Sequence, residues 1–215
     1  MRKLILLFIS VITLLPVQAQ TEKIPLLFRL DDIGMCHSVN MAAKEVLETR
    51  MPVSMSVMVP CPWFTEAVEI LKQYPHVSVG IHLTLNAEWK NYRWGPVAGV
   101  TMVPSLVDSL GHFFPSRSKL FANNPKLEEI ETELRAQIEK ALKAGLKLDY
   151  LDYHMGAAMQ TPETRAIVEK LAAEYNLAIS RYYDEVDVEG GYAAPMANKL
   201  DTLIKKVTNL QPGGT

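Results

Sequence analysis

Two adjacent carboxylates, Asp31 and Asp32, close an apolar run that begins at Ile24 and includes Arg29. A second run, Val77 to Leu85, carries His82, and a third, Leu148 to His154, places Asp152 and His154 on one face. Each piece alone has an ordinary reading. An Asp-Asp pair after a strand serves as a turn or helix cap, and a single histidine is commonly a satisfied core residue. Together, one carboxylate and two imidazoles form the two-His, one-carboxylate set of hydrolytic and open metal sites. The remaining carboxylate of the pair is then free to act as a base. The implied cofactor is one divalent ion. Two imidazoles favour zinc, whereas a single carboxylate with open water positions leaves magnesium as the alternative.

Such a set works only if the chain brings the three runs to one rim. Apolar runs at 24–30, 53–59, 77–85, 148–154 and 177–182 read as strands. Helical spacing is found from Ser38, a candidate N-cap, to Thr49, and again over 64–74, 126–144, 161–175 and 195–208. Gly145 stands where a glycine ends a helix, and Thr161-Pro162 forms a cap with proline at the first helical position. Alternation of strand and helix predicts a parallel sheet with helices packed outside it. In such folds the site forms at the C-terminal ends of the strands. There Gly80, His82, Thr84 and Asn86 share one face of the third strand. The chain stops after Gly213-Gly214-Thr215, where a sixth strand would follow, so a domain short of its last strand is expected.

Residues 86–125 interrupt the alternation and contain Trp89, Tyr92, Trp94, Phe113 and Phe114. Long connections of this kind are usually functional. The rings either stack on sugar rings near the site or pack the loop onto the body. The two cysteines, Cys36 and Cys61, permit one disulfide or two buried thiols.

The 215 residues are 48% hydrophobic and 21% charged, the composition of one globular domain able to bury a core. A net charge of −2 gives no electrostatic footing for nucleic acid. The first twenty residues read as an export signal: Arg2 and Lys3, an apolar stretch from Leu4 to Leu15, then Pro16 and the small-residue pattern Val17-Gln18-Ala19. That stretch is shorter than the ~20 residues a membrane span needs. Cleavage removes two of 22 basic residues and none of 24 acidic ones, taking the charge to −4. The expectation is a signal peptide at 1–20, a catalytic domain at 21–215, no membrane span after cleavage, and a periplasmic or secreted location.

The stretch Arg29-Leu30-Asp31-Asp32-Ile33-Gly34-Met35-Cys36-His37-Ser38-Val39-Asn40 resembles the opening motif of YdjC-like carbohydrate deacetylases. Val79-Gly80-Ile81-His82-Leu83-Thr84-Leu85 resembles their second motif, and Leu151-Asp152-Tyr153-His154-Met155-Gly156 the third. The resemblance implies a distorted TIM-like (β/α) barrel, with Asp32, His82 and His154 as metal ligands and Asp31 as general base. It also implies hydrolysis of an N-acetyl group from an amino-sugar oligosaccharide or glycan. Asp152 is then an outer partner that fixes an imidazole or Arg29. Arg181 and Trp89 are candidates for binding the sugar, Arg181 having a rim salt bridge as its alternative. His37 reads as a rim residue, His76 as surface, and His112 as part of the aromatic loop. The family continues into a final strand with a His-Pro element that this chain does not reach. Two other functions compete. An exported sugar-binding protein without catalysis accounts for the aromatic loop but not for the Asp-Asp, His, His set. Another metal hydrolase, such as a phosphoesterase, would usually add further ligands. A homodimer is the assembly kept open.

Overall fold

Apolar runs flanked by amphipathic segments fold here into successive β–α units. The computed structural model describes residues 26–182 and 193–210, in two compact units. The expected export segment, residues 1–20, lies outside the described residues. In the larger unit, strands β1 (Phe28–Ile33), β2 (Val53–Val57), β3 (Ser78–Leu83), β4 (Tyr150–Tyr153) and β5 (Ala178–Ile179) pair in parallel, in chain order. Helix α1 (His37–Glu48) follows β1 and α2 (Phe64–Leu71) follows β2. After β3 come a 3₁₀ turn at Pro104–Leu106, α3 (Arg117–Ala122) and α4 (Leu127–Lys143), and α5 (Pro162–Tyr175) joins β4 to β5. This order is the arc of a (β/α) barrel, as expected. The smaller unit contains α6 (Lys199–Thr208) behind a 3₁₀ turn at Met196–Asn198.

Burial follows from the parallel arrangement, which covers both faces of a sheet. Every residue of β2 is buried, as is all of β3 except Ser78. Met55, Val57, Ile81, Leu83 and Leu151 fill the layer under the helices. Ile130, Leu134 and Ile138 of α4 are fully buried against them, while Leu127 and Leu142 near its ends are exposed. The helix stops as expected. Gly145 has φ +88°, the Leu146 N–H donates to Ala141 C=O at 3.2 Å, and the Gly145 N–H to Leu142 C=O at 2.9 Å; this closes the last turn. Thr161 caps α5 reciprocally with Thr164.

Several boundaries move for physical reasons. β1 runs on to Ile33 and takes both aspartates into the strand. Cys36, not Ser38, has the extended capping conformation of α1, because His37 is already helical. α2 ends at Leu71, three residues before the predicted end and short of Pro75, which disfavours helix at the residue before it. β5 spans two residues because Arg181 adopts φ +60° and turns the chain. Cys36 and Cys61 are both free thiols.

The long connection is pinned by polar groups that the apolar pattern hid. Glu133 and Gln137, on the inner face of α4, are fully buried. Gln137 accepts from the Thr84 N–H at 3.0 Å and donates to the Thr84 C=O at 2.7 Å, extending the ladder past the end of β3. Glu133 accepts from the N–H groups of Val97 and Ala98 at 3.0 and 2.8 Å and from Gln137 Nε2 at 2.8 Å. Trp94 and Phe113 are buried in the core, so these rings pack the loop, whereas Trp89 is 52% exposed.

Two predictions follow from this packing. A Cβ at Gly80 would lie 2.3 Å from the ring of Tyr150. Gly80→Ala is therefore expected to cost about 1–3 kcal/mol in denaturant unfolding, as overpacking of a rigid core does. Burial pushes the Glu133 carboxyl up from 4.5 to about 7, against the pull of its N–H donors. A carboxyl whose folded value is raised adds stability that is complete below its unfolded value and is lost as pH rises through the folded one. Between pH 4.5 and 7 this removes on the order of 2–3 kcal/mol. Thermal melts of Glu133→Gln should accordingly show a flatter pH profile than wild type across that window.

Candidate metal centre

The site begins with a fault in β1. Leu30 pairs with Met55 and Ile33 with Val57, so β1 holds one more residue than β2 across the same step. The bulge falls on Asp31-Asp32, and Asp32 adopts φ +64°, a conformation that costs a non-glycine residue roughly 1–2 kcal/mol. In a regular strand neighbouring side chains point to opposite faces. Here both carboxylates come within 4.8 Å of a His82 nitrogen.

His82 and Asp152 are paired across β3 and β4, so the sheet register itself sets them side by side. His82 Nδ1 lies 2.8 Å from Asp152 Oδ2, leaving Nε2 to face Asp32 Oδ1 at 3.4 Å. His154 begins the turn directly after β4, where Met155 and Gly156 both have positive φ. Its Nδ1 lies 3.1 Å from Asp32 Oδ1, and its Nε2 lies 3.1 Å from Glu88 Oε2. Asp32, His82 and His154 thus gather with one donor atom each within 4.8 Å of one another.

Behind them lies a charged lattice. Asp152 is fully buried, and its oxygens receive Ser56 Oγ at 3.2 Å and Arg181 at 3.3 Å, with Arg29 Nε at 3.2 Å. Arg29 grips Asp31 with two bonds, at 2.6 and 3.1 Å, and donates to Ser180 Oγ at 2.5 Å. Burial would raise the Asp152 pKa, but His82 and Arg29 outweigh it and hold the carboxyl well below its usual range. Asp32 behaves alike: burial opposes ionisation, and His154 and His82 overcome it. Burial likewise disfavours charge on His154, yet Asp32 and Glu88 together lift it to about 9.

These residues fit a cation. Asp32 Oδ1 is buried and makes no hydrogen bond, although two imidazole nitrogens stand 3.1 and 3.4 Å away. Donor atoms about 2.1 Å from one ion, at 90–110° to each other, lie about 3.0–3.4 Å apart. The side chain of Asp32 is 37% exposed, so the cluster is open to solvent on one side.

The other predicted residues are distributed unevenly. Asp152 contacts both His82 and Arg29. Arg181 pairs with Asp152 at 3.3 Å and lies 4.6 Å from the centre of the Tyr153 ring. His37 is exposed and paired with Glu66, His76 is exposed, and His112 stands 3.9 Å from Asp108, outside the cluster. Glu88, Ser56 and Ser180 were missed. Glu88 follows the third strand by a few residues in a stretch without periodicity, and Ser56 in β2 and Ser180 just past β5 are common residue types that carry no signal of their own.

The family model described as "YdjC-like protein" matches residues 25–212. A carbohydrate deacetylase of Brevibacillus brevis is 36% identical over 154 residues, 72% of this chain and 58% of the relative. One from Enterococcus faecalis is 29% identical over 155 residues, covering 72% and 57%. Carbohydrate deacetylase 1 of Listeria innocua is 30% identical over 164 residues, covering 75% and 62%. The chain thus spans about 57–62% of the length of these curated relatives. A crystal structure from Enterococcus faecalis V583, provisionally named a cellobiose-phosphate cleavage protein, superposes with a TM-score of 0.69. It is 26% identical, and the match covers 86% of this chain and 76% of that one.

If the three side chains hold one ion, chelator-treated protein should take up about one equivalent of Zn²⁺ in calorimetric titration. Asp32→Ala and His154→Ala should each bind at least about 100-fold more weakly, since each removes a ligand.

Proposed function

The chain belongs to the YdjC-like protein family, and from that premise we propose that it is a metal-dependent carbohydrate N-deacetylase acting on an acetylated amino sugar. The observation that carries this reading is the Asp32, His82 and His154 cluster with the Arg29-bound Asp31 beside it. The curated relatives named carbohydrate deacetylase support the substrate class. A divalent ion on these three residues would lower the pKa of a bound water and polarise the acetamide carbonyl. The imidazole pair favours zinc over magnesium.

The chain's own groups do the rest. Asp31 is the general base that takes the proton of the attacking water. Its side chain is 37% exposed, and Arg29 fixes its orientation through two hydrogen bonds. Such a base must come within ~3.2 Å of that water. Asp152 holds the proton of His82 on Nδ1, which turns the Nε2 lone pair toward Asp32. Trp89 offers an exposed ring on which a sugar can stack, and Arg181 stands one ion pair behind the site. The apolar stretch at 4–15 supports export, which would place the substrate glycan outside the cytoplasm. Among the described residues, no helix is long and apolar enough to cross a membrane.

Acetate release from chito-oligosaccharides tests the proposal on zinc-loaded protein. Asp31→Asn should retain the metal and lose at least about 100-fold in kcat, the scale of a general base. His154→Ala should lose both metal and activity. Cellobiose phosphate belongs in the same assay, given the name of the E. faecalis structure. Cleavage of cellobiose phosphate without acetate release from the chito-oligosaccharides, or full activity in Asp31→Asn, would overturn the reading.

A further inference from the structure

Glu88 plays no part in the reaction outlined above, yet it closes the side of His154 opposite Asp32. His154 uses both ring nitrogens: Nδ1 lies 3.1 Å from Asp32 Oδ1, while Nε2 lies 3.1 and 3.3 Å from the two oxygens of Glu88. An imidazole that offers a lone pair at one nitrogen carries its proton on the other. A carboxylate at Nε2 therefore fixes the proton there and leaves Nδ1 as the donor atom. His82 repeats the arrangement with the nitrogens exchanged, Nδ1 on Asp152 and Nε2 toward Asp32. The two rings meet edge to face, with centroids 5.2 Å apart.

Glu88 is itself held in place. Asn86 Nδ2 donates to its Oε2 at 3.1 Å. The Ala87 N–H donates to Phe114 C=O at 2.9 Å, and Trp94 Nε1–H donates to Asn86 C=O at 3.0 Å. The Trp94 ring also stands edge-on to His154, 6.5 Å between centroids. The segment carrying Glu88 is thus braced by the buried part of the long connection. Nδ1 and Nε2 face different directions from one ring, so Glu88 and Asp32 address opposite sides of it. The groupings able to hold one ion among the described residues accordingly do not include Glu88.

We infer that Glu88 is a positioning residue: it fixes the proton of His154 on Nε2 and orients the ring so that Nδ1 points at the metal site. The inference rests on the reading of Asp32, His82 and His154 as metal ligands.

Competition with a chelating dye measures Zn²⁺ affinity for wild type, Glu88→Gln and Glu88→Ala. Loss of an outer carboxylate on a ligating histidine is expected to weaken Glu88→Ala by about 10–100-fold. Glu88→Gln keeps an oxygen that accepts from Nε2–H and should recover most of this, binding about 3–10-fold more weakly than wild type. With Co²⁺ in place of zinc, the visible absorption should shift in Glu88→Ala and stay close to wild type in Glu88→Gln. If Glu88→Ala does not fold, the weakening in Glu88→Gln decides alone. Wild-type affinity in the variants, or equal weakening in both, would overturn the role of Glu88. A wild type that takes up neither Zn²⁺ nor Co²⁺ would instead overturn the metal reading beneath it.

Discussion

Asp152 is a carboxylate with no solvent, set in β4 with His82 beside it, and much of the larger unit is arranged around keeping it ionised. An isolated buried charge is costly enough that the group would normally neutralise instead. Here Ser56 from β2, His82 from β3, Arg29 from β1 and Arg181 from just past β5 all reach it. One anion thus ties residues of four other sheet positions to a single point. Removing one partner leaves charge uncompensated, which is far more damaging than replacing the whole set. The same anion decides how His82 is protonated and where Arg29 holds Asp31. Stability of the sheet and geometry of the candidate site are therefore one problem, solved by one network.

The rim on which this network opens is conformationally expensive. Asp32, Met155 and Arg181 all adopt positive φ, and they follow or interrupt β1, β4 and β5. Each costs roughly 1–2 kcal/mol relative to ordinary backbone. A buried parallel sheet with an apolar layer beneath it can offset that cost, because the strands are fixed on both faces. What the strain provides is direction. It lets two consecutive aspartates reach one histidine, and it turns the chain just after His154 so that the ring stays at the strand end.

The order of elements and the choice of rim were legible because they rest on simple periodicity. Val79, Ile81 and Leu83 alternate with Gly80 and His82, and the register that sets His82 against Asp152 follows once the strands are parallel. The bulge at Asp31-Asp32 was not legible, since no residue there announces a left-handed conformation as glycine would. Glu133 and Gln137 escaped for a related reason. On α4 they lie beside the apolar stripe, and only the loop backbone packed against them shows that they are acceptors and donors in the core. Glu88 was hidden by distance along the chain, 66 residues from the histidine it contacts.

The long connection after β3 joins these threads. Its aromatic content admitted a sugar platform or packing; Trp94 and Phe113 pack in the core, while Trp89 stands exposed directly after Glu88. Packing by the buried rings, together with the Glu133 and Gln137 clamps, fixes the backbone from which Glu88 reaches His154. Any group that stacks on Trp89 would therefore press on a segment whose preceding residue, Glu88, orients a candidate ligand. Substrate contact and ring orientation would then share one short stretch of chain, braced by Phe114 and Trp94 of the connection, which α4 clamps in turn at Val97 and Ala98.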